Sequence, residues 1–366
     1  MTMRILAASS PGEVRVAAVR GGQVLDYGIW RPGAPDGVGD IHRGRITSRV
    51  PAMAGAFVAL AGTEGFLPDS AGASRLTNGD IVTVRVTRAA QGGKGPRLTL
   101  VEASGGGEVA LLERGPGWLL ELAQREPDGT VVVDDAALAA RLRPHLGDRL
   151  SVASRVWDDD IEDQVEALAD PSVDLADGGR LHIHPTPALT AIDVDAGGAV
   201  ASRGGKAAAH IAANSAALPA LARQIRLRNL SGAILIDFAG LPAKRRSTLG
   251  PELSAALAED PLRPRLLGFT GLGLAEIVRT RMHPPLHEVL SGPHAAGLAA
   301  LRRIAGEAAM APHRSASLRA SPEIVAALQA DAEALPDLAR RTGRALILRS
   351  DPALRSVEWV IEASDG

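Results

Sequence analysis

Between about Asp40 and Ala103 the chain breaks into five short strand-like runs: HRGRITSRV, GAFVAL, EGFLP, DIVTVRVTRA and PRLTLVEA. Turn residues part them, with Thr77-Asn78-Gly79-Asp80 and Gly92-Gly93 as the clearest breaks. Several short strands with turn signals at close spacing predict a small closed barrel of OB type. The barrel is flanked on both sides by other material. Residues 1–30 alternate apolar and polar residues around Gly21-Gly22, which reads as a hairpin. Residues 31–38 (RPGAPDGV) form a Pro/Gly-rich loop, and SGGGE (104–108) is a flexible joint.

Downstream the pattern changes to alternating strand and helix, an α/β layer. TVVV (130–133) reads as a strand, DDAALAARLRPHL and DDDIEDQVEALAD as helices with acids at their starts, and RLHIHP and ALTAIDVDA as strands. HIAANSAALPALARQIRLRNL (210–230) reads as a helix with a basic end, and GAILIDFAG (232–240) as a buried strand. KRRSTLGPELSAALAED holds another helix, RLLGFTGLG follows, and AEIVRTRM is predicted helical. Pro284-Pro285 and Ser291-Gly292-Pro293 interrupt the chain. The tail offers a helix near 322–334 and the strands ALILRS and VEWVIEA, a small α+β unit.

Bulk properties bound the function. The 366 residues are 46% apolar and 22% charged, as in globular proteins, and the net charge of −2 does not announce a nucleic-acid binder. Cysteine is absent, which removes thiolate metal sites. No run of 18 apolar residues exists, and the N-terminus has no signal-peptide core, so a cytoplasmic location and no membrane partner are expected. Cations are mostly Arg; the lysines are Lys94, Lys206 and Lys244.

In ALTAIDVDA, Asp193 and Asp195 alternate with Ile192 and Val194, so both acids project from one strand face. Asp237 ends the apolar run ILID. If the two strands are neighbours, the acids converge, and a hard divalent ion would relieve their repulsion. The plainer alternative is that Asp193 and Asp195 are solvated and Asp237 caps a loop. Arg203 and Lys206 follow the first acid pair, and Arg226 and Arg228 end the next helix. They suit a phosphodiester near a metal, or simply favour a helix C-terminus. In the barrel, Phe57 and Phe66 on adjacent strands, Lys94 before the last strand, and Arg43 and Arg45 on one face of the first strand suit single-stranded nucleic acid; the alternative places both rings in the core. His182 and His184 share a strand face, whereas His283, His287 and His294 have loose ligand-like spacing broken by prolines.

These residues together resemble the ribonuclease E/G family. The resemblance rests on DIHRGRITSRVPAMAGAFVALAGTEGFLP, IEDQVEAL, GGRLHIHPTPALTAIDVDAG, LARQIRLRNLSGAILIDF and LLGFTGLGLAEIVRTR, and it covers nearly the whole chain. It implies a multidomain α/β fold. An RNase H-like portion (1–38 and 108–185) is interrupted by the OB-type RNA-binding barrel (39–103). A DNase I-like catalytic domain (186–290) and a small C-terminal domain (300–366) follow. It implies a magnesium-dependent endoribonuclease, with manganese as a substitute ion, that cleaves single-stranded RNA by metal-activated water attack in rRNA or mRNA processing or decay. Asp193 and Asp237 match the metal-binding aspartates, and Phe57, Phe66 and Lys94 the RNA-contacting positions. Asp195 stands where the family usually has Asn and completes the catalytic set Asp193, Asp195 and Asp237.

Three departures stand out. The segment before IEDQVEAL is too short for the family's 5′-end sensor. SGPHAAG replaces the zinc-link cysteines, so no zinc is expected and a homo-oligomer would form without a thiolate link. Gly240 and Gly271 replace an acid and a basic or polar residue. The competing expectation is therefore an RNA-binding protein of the same fold with weak or lost nuclease activity; a DNA-directed nuclease is a third.

Overall fold

The computed structural model describes residues 2–103, 106–176, 178–195, 197, 206–311 and 315–364. The chain begins with β1 (Arg4–Ser10), β2 (Glu13–Arg20) and β3 (Gln23–Trp30), an antiparallel meander. Gly21 and Gly22 turn the β2–β3 hairpin with φ of 60° and 79°, the two positive values that a tight primed turn demands.

The barrel follows. It comprises β4 (Ile41–Val50), β5 (Gly55–Leu60), β6 (Thr63–Pro68), β7 (Ile81–Arg88) and β8 (Arg97–Ala103), and β9 (Ala110–Glu113) adds to the outer edge of β4. The strand order β5-β6-β8-β7-β4, closed by β4–β5 pairing, makes a five-stranded barrel of OB type, as the turn spacing predicts. Its interior is Ile46, Ala56, Val58, Leu60, Leu67, Val82, Val84, Val86 and Leu98. The alternation of β5 therefore sends Ala56 and Val58 inward and Phe57 outward.

After the barrel the chain rejoins the first sheet through α1 (Gly117–Arg125), β10 (Thr130–Val133), α2 (Ala136–Leu146) and β11 (Leu150–Val152). The resulting sheet runs β11-β10-β1-β2-β3, so the barrel is an insertion between its two halves. Asp135 caps α2 by accepting from Leu138 N at 2.7 Å, and Asp158 caps α3 (Asp159–Glu166) in the same way. Helices α1 and α2 cover one face of this sheet and α3 the other.

A second sheet carries the acids. It contains β12 (Ser172–Asp174), β13 (Arg180–Pro185), β14 (Thr190–Asp195), then α4 (Lys206–Leu227), β15 (Gly232–Phe238), α5 (Ala243–Arg246), α6 (Gly250–Leu257), β16 (Arg265–Phe269) and β17 (Ala275–Arg279). The strand order is β12-β13-β14-β15-β17-β16, and only β14 and β15 run parallel. Residues 275–279, predicted helical, form β17. Ala275, Ile277 and Arg279 are buried and alternate with Glu276 and Val278, a period of two that a helix cannot satisfy. The long helix α4 and α6 cover one face through Leu218, Leu221, Ile225 and Leu253 against Ile192, Val194, Ile234, Ile236 and Phe238.

The tail holds α7 (Leu286–Val289), α8 (Gly292–Met310), β18 (Ser315–Ala320), α9 (Pro322–Ala330), α10 (Ala334–Thr342), β19 (Ile347–Ser350) and β20 (Trp359–Ser364). Its three-stranded sheet packs on α8 and α9. No helix among the described residues is long and apolar enough to cross a membrane.

Candidate functional site

Asp193 and Asp237 are direct partners across the β14–β15 parallel pair. Adjacent strands stand about 4.8 Å apart, so the two carboxylates leave neighbouring positions on the same sheet face. That face is the uncovered one, since Ile192, Val194, Ile236 and Phe238 turn the other way into the core. Asp193 is exposed and its carboxylate has no hydrogen-bond or ion-pair partner among the described residues. Asp237 is half-exposed, and Arg246, on the short helix after β15, holds its Oδ1. The other carboxylate oxygen of Asp237 is free of that contact.

Asp195 shares this face but stands about 7 Å further along β14. Its Oδ1 accepts from Gly197 N at 3.0 Å and so shapes the turn beyond the strand. The three acids therefore do not form one tight cluster. Among the described residues, no group of three or more acidic or histidine side chains is arranged to cage a metal. His182 lies directly opposite Asp193 on β13. Its Nδ1 meets Ser172 Oγ at 3.0 Å, and its ring stacks nearly parallel on His184, with centroids 6.4 Å apart.

The end of β15 is fixed from beneath. Asn214, fully buried on α4, donates to Ala239 O at 3.0 Å and accepts from Ala239 N at 3.1 Å. This two-way bond clamps the backbone two residues after Asp237. Asn214 and Arg246 are neighbours of the candidate site that the sequence reading misses. ANSAAL and KRRS place both in helices, yet nothing in their spacing shows that α4 and α5 meet the end of β15.

The cations expected near the acids divide differently. Helix α4 is the crossover between two parallel strands, so its C-terminus lies at the opposite end of the sheet from Asp193 and Asp237. Arg226 there donates to Asp26 at 3.1 and 3.2 Å and ties the two sheets together. Arg228 is buried, donates to Gln224 Oε1 at 2.8 Å, and its guanidinium pKa is lowered by burial. The structure does not bring either to the carboxylates. Arg203 lies outside the described residues; Lys206 opens α4, and its side chain also lies outside them.

The barrel residues fall on its outer surface. Phe57 and Phe66 are direct cross-strand partners, both half-buried, with ring centroids 5.5 Å apart in an edge-to-face pair. Ser48 of β4 stands opposite Phe57, and Arg45, on the same outer surface, is opposite Ala59 one step along. Arg43 lies further along β4 towards β9. Lys94 is exposed at the β7–β8 tip, where its N–H and C=O exchange 3.0 Å bonds with Gln91.

The dispersed histidines serve as ties. His283 donates from Nδ1 to Asp36 at 2.6 Å and from Nε2 to Glu121 at 2.8 Å, joining the barrel linker, α1 and the end of the acid-bearing sheet. Burial opposes its charge, but the two carboxylates win and push its pKa up to about 9. His294 instead meets Asp331 at 2.8 Å.

Fold and site define a mixed α/β protein with an inserted OB-type barrel and an uncovered sheet bearing two in-register aspartates. Residues 136–282 match the model of the Ribonuclease E/G family, a span that contains the whole acid-bearing sheet. The chain is 37% identical over 164 residues to ribonuclease E of Nostoc sp., covering 42% of this chain and 24% of that protein. It is 25% identical over 403 residues to ribonuclease G of Escherichia coli K12, covering 79% of this chain and 82% of that protein. A third relative, ribonuclease G of Haemophilus influenzae, is 35% identical over 131 residues, 36% of this chain and 26% of that protein. The chain thus spans about a quarter of the ribonuclease E it matches and most of the Escherichia coli ribonuclease G. The resemblance to the ribonuclease E/G family holds.

Proposed function

We propose that the protein is an endoribonuclease that cleaves single-stranded RNA with a magnesium ion at Asp193 and Asp237. The observation that carries this reading is the in-register pairing of those two aspartates on the open face of the acid-bearing sheet. The residues fit such an ion. They offer hard oxygen donors from two positions, and magnesium commonly takes one or two carboxylates and leaves its other positions to water and phosphate. When bound, the ion supplies charge stabilisation at phosphorus and a more acidic water. The chain's own groups do the rest. Asn214 fixes the backbone behind Asp237, Arg246 orients its carboxylate, and Asp195 shapes the turn at the rim. Phe57 and Phe66 stack on bases, with Lys94, Arg43 and Arg45 along the strand's phosphates. The order β11-β10-β1-β2-β3, split by the barrel, supports an RNase H-like reading of the first sheet; a DNase I-like reading of the second rests on the family resemblance. A cytoplasmic setting and a role in rRNA or mRNA processing or decay belong to the same proposal.

The test is incubation of the purified protein with single-stranded RNA and magnesium, beside the Asp193→Asn/Asp237→Asn variant. Cleavage by the first and not the second supports the reading; equal cleavage sinks it. One observation favours a second reading, RNA binding with weak or lost turnover: Arg246 already neutralises part of Asp237. Tight RNA binding without turnover, unaffected by Asp237→Asn, would select it.

A further inference from the structure

The register of the barrel places a second pair of residues beside the two aromatics. Phe57 stands opposite Phe66, Phe66 opposite Arg97, and Arg97 opposite Arg88, a row across β5, β6, β8 and β7. Cross-strand partners share a face, so the outward-facing rings continue into two outward-facing arginines. Next to them the barrel is fastened to the acid-bearing unit: Ala89 N donates to Met282 O at 2.8 Å and Gln91 Nε2 to the same oxygen at 3.2 Å. This fastening brings in Arg281, whose charge acts on Arg88 together with that of Arg97.

Arg281 lies over Gly232, the first residue of β15. A Cβ at that glycine would stand 2.3 Å from Arg281 Nη2, so a side chain there would displace the guanidinium. Asp237 is five residues further along the same strand, about 17 Å away at the rise of an extended chain. Arg281 thus stands at the end of β15 away from the carboxylates, and the arginines gather where the barrel meets the acid-bearing sheet.

This group gathers three cations without a counter-charge among the described residues. Other buried or half-buried arginines are matched, such as Arg15 with Glu162, Arg279 with Asp260 and Arg226 with Asp26. Arg88, Arg97 and Arg281 have no ion pair and no side-chain hydrogen bond among the described residues. The Nε of Arg88 is buried with no hydrogen-bond partner among the described residues. Gathering like charges without an acid is unfavourable unless an anion completes the site, and planar guanidinium forks match phosphate oxygens.

We infer that Arg88, Arg97 and Arg281 form a phosphodiester-binding track that continues the Phe57–Phe66 pair across the joint between the barrel and the acid-bearing sheet. This rests on the RNA-cleaving reading but assigns residues outside it. The track reads backbone charge, so it acts on any RNA sequence alike.

The test measures binding of a fluorescein-labelled single-stranded RNA by anisotropy across a potassium chloride series, with divalent ions chelated. Wild type is compared with Arg97→Gln/Arg281→Gln, Arg97→Lys/Arg281→Lys and Phe57→Ala/Phe66→Ala; both arginines are exposed, and melting curves verify folding. Removing two phosphate contacts is expected to lower the slope of log affinity against log salt by about 1.4, because each contact on a single strand contributes about 0.7. The Lys double variant is expected to keep the wild-type slope, and the Phe variant to bind more weakly at an unchanged slope. An unaltered slope in the Gln double variant, with wild type binding well, overturns the track and leaves the RNA reading standing. Failure of wild type to bind RNA overturns both.

Discussion

The outer face of the barrel and the open face of the acid-bearing sheet are built by the same device and carry opposite chemistry. Each is a row of side chains set by strand register: Phe57–Phe66–Arg97–Arg88 on one, His182–Asp193–Asp237 on the other. The barrel row has aromatics and unneutralised cations. The sheet row has carboxylates with one guanidinium, Arg246. On the proposed reading, the difference teaches that binding and chemistry would be separated on this molecule. One row attracts a polyanion, whereas the other would repel it unless a cation intervenes.

The largest expected effect comes from breaking the sheet row alone. If the proposed ion binds there, Asp193→Asn/Asp237→Asn is expected to lower kcat for RNA cleavage by more than about 10³-fold, since such an ion would contribute several kcal/mol. RNA affinity without metal should stay the same or improve as two negative charges are lost. A filter-binding assay beside a gel-based cleavage assay reads both, and a parallel loss of binding would break the separation.

Breaking the barrel row is the converse. Phe57→Ala/Phe66→Ala removes stacking of about 1–3 kcal/mol per base, so RNA should bind roughly 10–100-fold more weakly. Cleavage at saturating RNA should change little. A kcat that falls as far as the affinity would show that the rings also position the scissile bond.

The joint between the regions predicts a pH dependence. His283 has its pKa raised to about 9 by Asp36 and Glu121, against an ordinary value of 6.5. A raised pKa contributes stability that is fully present below about pH 6.5 and is lost as pH climbs through 9. The loss should be on the order of 3 kcal/mol. Urea unfolding at pH 6 and pH 9.5 should show it, and His283→Gln should flatten the difference. If the wild-type midpoint does not fall over that window, the His283 tie is not a charged one.

The smallest effect sharpens the sheet row. Asn214→Ala leaves the N–H and C=O of Ala239 unpaired, which should cost about 1–3 kcal/mol of stability. If the clamp also positions Asp237, kcat falls while KM for RNA holds. A stability loss with unchanged kcat would reduce Asn214 to a structural residue.

Much of this was legible in the sequence because it depends on local period. Alternation in TAIDVD put Asp193 and Asp195 on one face, and short strands with Gly turns gave the barrel. Residues 275–279 misled the reading because five residues with apolar spacing fit a helix turn or a strand almost equally. Arg226 and Arg228 misled it for another reason. Adjacency in sequence to an acid-tipped strand says nothing about which end of the sheet a crossover helix reaches. Three facts needed the folded chain: that Asp193 faces Asp237, that Asn214 and Arg246 meet the end of β15, and that Arg281 joins Arg88.

By itself, then, the sequence determined which residues each strand exposes, since side-chain direction follows from a period of two along an extended backbone. Only the tertiary structure decided which exposed residues stand side by side, because strand register and interdomain contact join positions tens to hundreds of residues apart, and no local pattern encodes that pairing.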